Sequence, residues 1–158
     1  MPASMKSQKN FAVRRPLRLG IDIGSTTLKL AVLDDHDQII YSKYARHYAN
    51  LKDTLISALQ ELDDYLSNRP FLPAFTGSGS IDLAGYLELP FIQEVTAGYK
   101  AIKRFLPEAA VVIEIGGEDS KIIFLENGTD LKMNGICAGG TGAFIDQMAL
   151  LLNTDAQG

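Results

Sequence analysis

An internal repeat is the feature that most constrains the fold of this chain. Two segments, GIDIGSTTLKLAVLD at 20–34 and VIEIGGEDSKIIFLE at 112–126, share one pattern at a constant offset of 92 positions. The offset relates four pairs of residues: Asp22 and Glu114, Gly24 and Gly116, Lys29 and Lys121, and Asp34 and Glu126. An uncompensated acid inside an apolar strand is costly, so its occurrence at both places predicts a duplicated unit with a shared ligand.

Hydrophobic periodicity predicts a three-strand and one-helix unit in each copy. In the first copy the predicted strands and helix lie at 17–23, about 27–33, about 38–46 and 51–66. In the second copy they lie at 111–115, 121–125, 129–133 and 143–152. Between the copies we expect a strand near 71–76, a short helix at 81–86, a short strand in PFIQEV at 90–95, and a helix at 96–106 whose Phe105 and Leu106 face inward.

This layout predicts an α/β protein built from duplicated βββα lobes. The first lobe, 17–108, is expected to be a mixed sheet with helices on both faces. The second lobe, 109–158, is expected to be incomplete, because the sequence stops where the helix of the second copy ends. The basic segment 1–16 is expected to be a disordered tail.

Composition excludes several classes of function. A formal net charge of −4 gives no electrostatic reason to bind nucleic acid. No apolar run reaches the roughly 18 residues that a membrane span needs, and the polar start is not a secretory signal, so the cytoplasm is the expected location. The single cysteine, Cys137, excludes an intrachain disulfide framework.

The turns after the two acids have the composition of phosphate-binding turns. Glycine lets backbone N–H groups approach a ligand closely, and the neighbouring hydroxyls suit phosphate oxygens. Asp22 and Glu114, expected to face each other across a cleft, suit a hydrated Mg²⁺. Together these features predict phosphoryl-transfer geometry. The candidate phosphate-binding residues are Gly24, Ser25, Thr26, Thr27, Lys29, Gly116, Gly117, Asp119 and Lys121.

Two motifs resemble a known superfamily, and a third resembles one family within it. GIDIGSTTLK and IEIGGEDSK resemble the two phosphate motifs of the actin, hexokinase and heat-shock chaperone ATPases. The segment MNGICAGGTGAFIDQMALLL is similar to the signature of the ATP-dependent activators of 2-hydroxyacyl-CoA dehydratases, a family related to benzoyl-CoA reductase subunits. The long CoA-substrate-specific enzyme activases look most similar. This resemblance implies the actin/hexokinase-like, or RNase H-like, fold.

The resemblance also implies a mechanism and its residues. Members of the family share one [4Fe–4S] cluster between paired lobes, and they couple ATP hydrolysis to low-potential electron transfer into a dehydratase or reductase. Cys137 matches a cluster cysteine, Asp22 and Glu114 match the metal-facing acids, and Glu118 lies in the second phosphate turn. The implied cofactors are ATP, Mg²⁺ and the cluster. The implied partners are the dehydratase component, an electron donor and a second copy or paired module.

The chain also departs from the family pattern. Ser78, Ser80 and Gly98 stand where many relatives have Tyr, Arg and His, and Glu118 stands where many have Gln. No second cysteine follows, and the adenine-binding part of the second lobe is missing. This piece is therefore expected to be inactive alone and to bind nucleotide weakly.

Two other classes of function stay open from the sequence. One is a sugar or carboxylate kinase of the same superfamily, which a large insert after the first lobe would favour. The other is a degenerate, non-catalytic docking module, which the departures from the family pattern favour. The two histidines, His36 and His47, are expected on the surface.

Overall fold

Two β-sheets, one from each copy of the repeat, form the framework of the protein. The computed structural model describes residues 15–66, 69–125, 130–133 and 140–155. The first sheet has four strands in the order β3-β2-β1-β4, and the second has three in the order β5-β6-β7. The strands are β1 Leu17–Ile23, β2 Thr27–Leu33, β3 Ile39–Arg46, β4 Phe71–Thr76, β5 Val111–Ile115, β6 Ser120–Phe124 and β7 Asp130–Met133.

Four α-helices accompany these strands in the described part of the chain. They are α1 Leu51–Leu66, α2 Ile81–Tyr86, α3 Glu94–Phe105 and α4 Gly142–Leu151, and a 3₁₀ turn at Ser78–Ser80 precedes α2. Asn50 immediately precedes α1: its backbone carbonyl accepts from the Thr54 N–H, and its side-chain amide donates to the Asp53 carboxylate. The predicted order of strands and helices is thus confirmed in both copies.

The two hairpins of the repeat have the same register. β1 pairs antiparallel with β2 so that Asp22 lies opposite Lys29, and β5 pairs with β6 so that Glu114 lies opposite Lys121. β4 adds to the other edge of β1 as a parallel strand, which makes the first sheet mixed as predicted. The second sheet is antiparallel throughout its described strands.

The main hydrophobic core lies on one face of the first sheet. Strand residues at alternate positions of β1 and β2 are buried, and α1 packs on them through Ala58, Leu62 and Leu66. The strand residues of this cluster are Leu17, Leu19, Ile21, Ile23, Leu28, Leu30, Val32 and, from β4, Phe75. The alternation follows from the strand period of two, because one set of side chains faces the core and the other faces away.

The segment between the copies differs from the sequence prediction in two ways. PFIQEV is not a strand: Phe91 makes a single parallel bridge to Phe75, because Pro90 has no N–H to donate and α3 already begins at Glu94. The expected inward face of α3 was also wrong, since none of its residues is buried and Phe105 and Leu106 are exposed.

None of the helices in the described ranges has both the length and the apolar character that crossing a membrane requires.

Candidate functional site

The same hydrogen bond closes the turn after β1 and the turn after β5. Gly24 N–H donates to the Thr27 carbonyl over 2.9 Å, and Gly116 N–H donates to the Asp119 carbonyl over 2.8 Å. These donors and acceptors are related by the 92-position offset. The repeat therefore extends from sequence to backbone conformation, and each copy presents a short turn of the kind that binds phosphate.

The two turns touch each other. A Cβ atom placed on Gly117 would lie 2.4 Å from Thr26 Oγ1, which leaves room only for glycine unless Thr26 moves. A cavity of about 240 Å³ opens beside this contact. It is lined by residues of both copies and of the segment between them: Gly24, Ser25, Thr26, Thr27, Lys29, Tyr44, Arg46, Ser78, Glu94, Glu114, Ile115, Gly116, Gly117, Glu118, Asp119, Gly142, Ala143 and Asp146.

The start of α4 fixes the position of the second turn. Gly142 N–H donates to the Gly116 carbonyl over 2.8 Å, and Ala143 N–H donates to the Gly117 carbonyl over 3.0 Å. A Cβ on Gly142 would lie 3.2 Å from the Gly116 oxygen, so a small residue is favoured here. These two amide groups of the helix N-terminus hold the turn and are not free for an anion.

Each strand acid is compensated by the lysine opposite it. Lys29 Nζ lies 2.8 Å from Asp22 Oδ2, and Lys121 Nζ lies 3.5 Å from Glu114 Oε1. These pairs explain why an acid is tolerated within an apolar strand, because a paired carboxylate avoids most of the cost of an unpaired one.

Lys121 has more partners than Lys29. Its ammonium also lies 3.0 Å from Glu94 Oε2 and 3.6 Å from Asp119 Oδ1, and its side chain is 5% exposed. Burial alone lowers the pKa of Lys121, but the hydrogen bond to Glu94 and the charges of Glu114, Glu94 and Asp119 outweigh it and raise the pKa. Lys121 therefore stays charged and ties the second sheet to the start of α3.

The Asp22 carboxylate has one oxygen that is not satisfied by the protein. Asp22 Oδ1 and Thr76 Oγ1 are buried without a hydrogen-bond partner in the described structure, and the two residues lie opposite each other on β1 and β4. A bound water or a hydrated cation would satisfy both groups. A Mg²⁺ ion that retains its waters thus fits the oxygen ligands at this position.

Direct coordination of Mg²⁺ by both acids has less support. Glu114 is engaged by Lys121, and Asp22 by Lys29. Within the described ranges, no three His, Cys, Asp or Glu side chains are arranged to hold a metal ion. An ion in the cavity would therefore be held largely through water, and the buried Asp22 Oδ1, which lies behind the lining, would interact with it only through such a water.

Most of the sequence-predicted site residues come together. Glu118 and all of the candidate phosphate-binding residues except Lys121 line the cavity, and so does Glu114. Asp22 and Lys121 lie behind the lining, each paired with a residue that does line it. Cys137 falls within 134–139, outside the described residues, so its role as a cluster ligand stays a prediction.

Three charged residues of the cavity were missed by sequence reasoning. Arg46 and Asp146 form a bidentate ion pair between the two copies, and Glu94 reaches Lys121. The offset of 92 pairs Arg46 with Ala138 and Asp146 with Thr54, so the repeat contains no signal for them. Only the three-dimensional contact between the copies identifies these residues.

His47 is a further correction. It was expected on the surface, but it is 8% exposed, and its Nε2 lies 3.1 Å from the Gly24 carbonyl oxygen. Its backbone N–H donates to the Thr26 carbonyl. The end of β3 folds against the first turn, which buries the imidazole and fixes that turn from behind.

Comparison with known proteins identifies a single family. The model of the BadF/BadG/BcrA/BcrD ATPase family matches residues 19–157. The (R)-2-hydroxyglutaryl-CoA dehydratase activating ATPase of Acidaminococcus fermentans is 33% identical over 139 residues, which cover 85% of this chain and 53% of that protein. The activator of lactoyl-CoA dehydratase of Anaerotignum propionicum is 31% identical over 147 residues, covering 86% of this chain and 54% of that protein.

Solved structures show the same similarity. The activator of the 2-hydroxyisocaproyl-CoA dehydratase from Clostridium difficile, with bound ADPNP, superposes with a TM-score of 0.75 at 26% identity and covers 89% of this chain and 53% of that one. Component A of the A. fermentans dehydratase gives a TM-score of 0.78 at 28% identity, covering 90% and 56%. The actin/hexokinase-like α/β class is thus confirmed, and the chain spans about half the length of these relatives.

Proposed function

The chain belongs to the BadF/BadG/BcrA/BcrD ATPase family, and on that basis we propose that it forms the phosphate-binding part of an ATP-dependent activator of a CoA-ester dehydratase or reductase. The observation that carries the proposal is the meeting of the two repeated turns at one cavity. Both turns contain glycine, and the first also carries the hydroxyls of Ser25, Thr26 and Thr27. Two such turns, one from each copy, suit the successive phosphates of a nucleotide.

The charge of the cavity supports a nucleotide that arrives with a metal ion. Five carboxylates line the cavity against two cations, Lys29 and Arg46, so a bare polyphosphate would be repelled. The carboxylates are those of Glu94, Glu114, Glu118, Asp119 and Asp146. A bound Mg²⁺ would bridge phosphate oxygens and neutralise their charge, and the free Asp22 Oδ1 is the oxygen that we assign to its hydration shell.

The residues of the chain have separate roles in this proposal. Ser25 and Thr26 bind phosphate through backbone N–H groups and hydroxyls, in a turn that the Gly24 N–H closes. Lys29 supplies a positive charge while it holds Asp22 in place. Gly116 and Gly117 form the opposite wall. Glu118 lines the cavity in the second turn, and we assign to its carboxylate the orientation of an attacking water.

Electron transfer is the finer part of the proposal. Cys137 lies in the segment that resembles the cluster signature of the activators, and a thiolate there would be one ligand of a [4Fe–4S] cluster. A four-thiolate cluster needs cysteines beyond this one, so we propose that a second copy or paired module supplies them. The cluster would supply the low-potential electron for a dehydratase or reductase partner.

Two substitutions, made in the full-length natural protein that includes this sequence, test the proposed ATP hydrolysis. Asp22→Asn should abolish ATP hydrolysis with little effect on the thermal unfolding midpoint, because it removes the metal-facing charge, keeps the shape and loses only a partly exposed ion pair. Asp63→Asn, at an exposed acid of α1, is the matched control and should leave hydrolysis unchanged. Equal hydrolysis in Asp22→Asn and wild type would contradict the assignment.

The cluster is tested separately. After anaerobic reconstitution, wild type should be brown and should contain iron, whereas Cys137→Ala should lose iron and keep nucleotide binding. Full iron content in Cys137→Ala would exclude this ligand and remove electron transfer from the proposal, while the ATPase part would stand.

A non-catalytic nucleotide-binding module is the second candidate, and the acid at position 118 favours it. An anionic side chain beside the terminal phosphate attracts neither the phosphate nor a hydroxide. Glu118→Gln discriminates the two functions: a rise in hydrolysis from an undetectable wild-type level would indicate a degenerate module, and measurable wild-type hydrolysis would exclude one.

A further inference from the structure

An ion pair between the two copies lies at the cavity itself. Arg46 is the last residue of β3, and Asp146 lies in α4. Arg46 Nη1 is 2.5 Å from Asp146 Oδ2, and Arg46 Nη2 is 3.0 Å from Asp146 Oδ1, so the guanidinium and carboxylate meet fork to fork. Both side chains are 40% exposed.

The place and chemistry of Arg46 suit a second partner. Arg46 lines the same cavity as Ser25, Lys29 and Glu118, and it is one of only two cationic side chains in that described lining. The guanidinium fork fits phosphate oxygens as well as it fits a carboxylate. A half-exposed ion pair is weakened by water and salt, so a ligand with several negative charges can compete for the arginine.

We propose that Arg46 is a phosphate-binding residue that Asp146 holds in place until a nucleotide arrives. The guanidinium exchanges the Asp146 carboxylate for oxygens of the bound polyphosphate. Filling of the cavity then releases a contact that joins the first copy to α4 of the second. This inference rests on the proposed nucleotide site, and it adds a ligand-dependent connection between the copies.

The exchange makes a prediction that a purely structural ion pair does not make. If Asp146 competes with phosphate for Arg46, its removal strengthens phosphate binding. If the pair only holds the copies together, removal of either partner weakens binding in the same way. The sign of the effect of Asp146→Asn therefore separates the two roles.

The experiment is an NMR titration of the isotope-labelled chain with Mg²⁺-tripolyphosphate and with Mg²⁺-ATP. Arg46→Gln should weaken binding of both by about tenfold, the usual loss for a hydrogen bond to a charged group. Asp146→Asn should tighten binding by roughly threefold, because the competing carboxylate is gone. The double variant should bind like Arg46→Gln alone, since Asp146 acts only through Arg46.

Two further variants control for net charge and for folding. Lys43 lies on the same strand as Arg46, but it pairs with Glu61 and does not line the cavity. Lys43→Gln therefore removes one cation away from the site and should change the affinity for both ligands by less than about twofold. Arg46→Lys keeps the charge but lacks the fork, so its affinity should lie between those of wild type and Arg46→Gln. If Arg46→Gln does not fold, the affinity of Arg46→Lys still tests the role of the guanidinium.

The outcomes separate this inference from the proposed function. Binding by wild type that is unchanged in Arg46→Gln and Arg46→Lys, or weakened in Asp146→Asn, would overturn the inference and leave the nucleotide site standing. Absence of binding by wild type at millimolar ligand would overturn both.

Discussion

The two copies of the repeat have the same strand pattern but opposite degrees of burial. Leu19, Ile21 and Ile23 of β1 are 1%, 3% and 0% exposed. The residues 92 positions later are Val111, Ile113 and Ile115 of β5, and they are 48%, 67% and 56% exposed. The first set is covered by α1, whereas the described part of the second copy offers no such cover. Strand pattern therefore sets which face is apolar, and the neighbouring helix decides whether it contributes to stability.

The lysines opposite the two strand acids show the reverse order of burial, because the lysine of the second copy is the more buried one. Lys29 is 46% exposed in its side chain and has one carboxylate partner, whereas Lys121 is 5% exposed and has three. The difference comes from Glu94 of α3 and from the turn residue Asp119. The first copy thus buries the apolar face of β1, whereas the second copy buries a lysine that three carboxylates surround near the cavity.

Removal of buried apolar side chains should destabilise the first copy far more than the second. Ile21→Ala should lower the free energy of unfolding by about 3 kcal/mol, because it removes buried methyl groups and leaves a cavity. Ile113→Ala, at the matching position of the second copy, should cost less than about 0.5 kcal/mol, as expected of an exposed residue. Urea unfolding measures both. Equal losses would show that β5 is covered in solution.

The next effect tests the charged face. Lys121→Met should lower the free energy of unfolding by about 2 kcal/mol, because three partly solvent-exposed carboxylates lose the cation that they share. Lys29→Met, which affects a single half-exposed pair, should cost about 0.5 kcal/mol. The reverse order of the two losses would contradict the comparison.

The pH dependence of the stability difference between wild type and Lys121→Met is a control for the preceding prediction. The pKa of Lys121 is raised above its ordinary value of 10.5, so the folded state holds this proton more tightly than the unfolded state. The stabilisation is therefore fully present below pH 10.5 and is lost as the pH rises through the folded-state pKa. The difference between wild type and Lys121→Met should be constant up to about pH 10 and should shrink above it.

A smaller effect distinguishes the two turns. A Cβ on Gly116 would lie 2.8 Å from Asp119 Oδ1 and 2.9 Å from the Asp119 backbone oxygen, whereas a Cβ on Gly24 has no neighbour closer than 3.5 Å. Gly116→Ala should therefore cost about 1.5 kcal/mol, and Gly24→Ala should be neutral within about 0.5 kcal/mol. Thermal unfolding of the two variants checks this. A larger loss in Gly24→Ala would mean that the turns differ in the opposite sense.

The repeat made most of the fold predictable. Hydrophobic period and the constant offset predicted the positions of β1, β2, β5 and β6, because the same residue pattern recurs in the same local order. The offset also predicted the turn residues that line the cavity.

The contacts between the two copies could not be predicted from the repeat. No equivalent charged residue lies 92 positions away from Arg46, Glu94 or Asp146. The contacts of these three residues depend on how the two copies pack against each other. His47 was misjudged for the same reason, because its burial results from the return of β3 to the first turn. The strand at PFIQEV failed because Pro90 and the early start of α3 override the local apolar pattern.

If the turns of the two copies form a single phosphate site, both must respond to one bound nucleotide. The decisive measurement is a titration of the ¹⁵N-labelled chain with Mg²⁺-ATP, followed by NMR. Amide signals of 24–29 and of 116–121 should shift together and should fit one dissociation constant, weaker than micromolar. Shifts confined to one turn, or two turns that fit different dissociation constants, would contradict it.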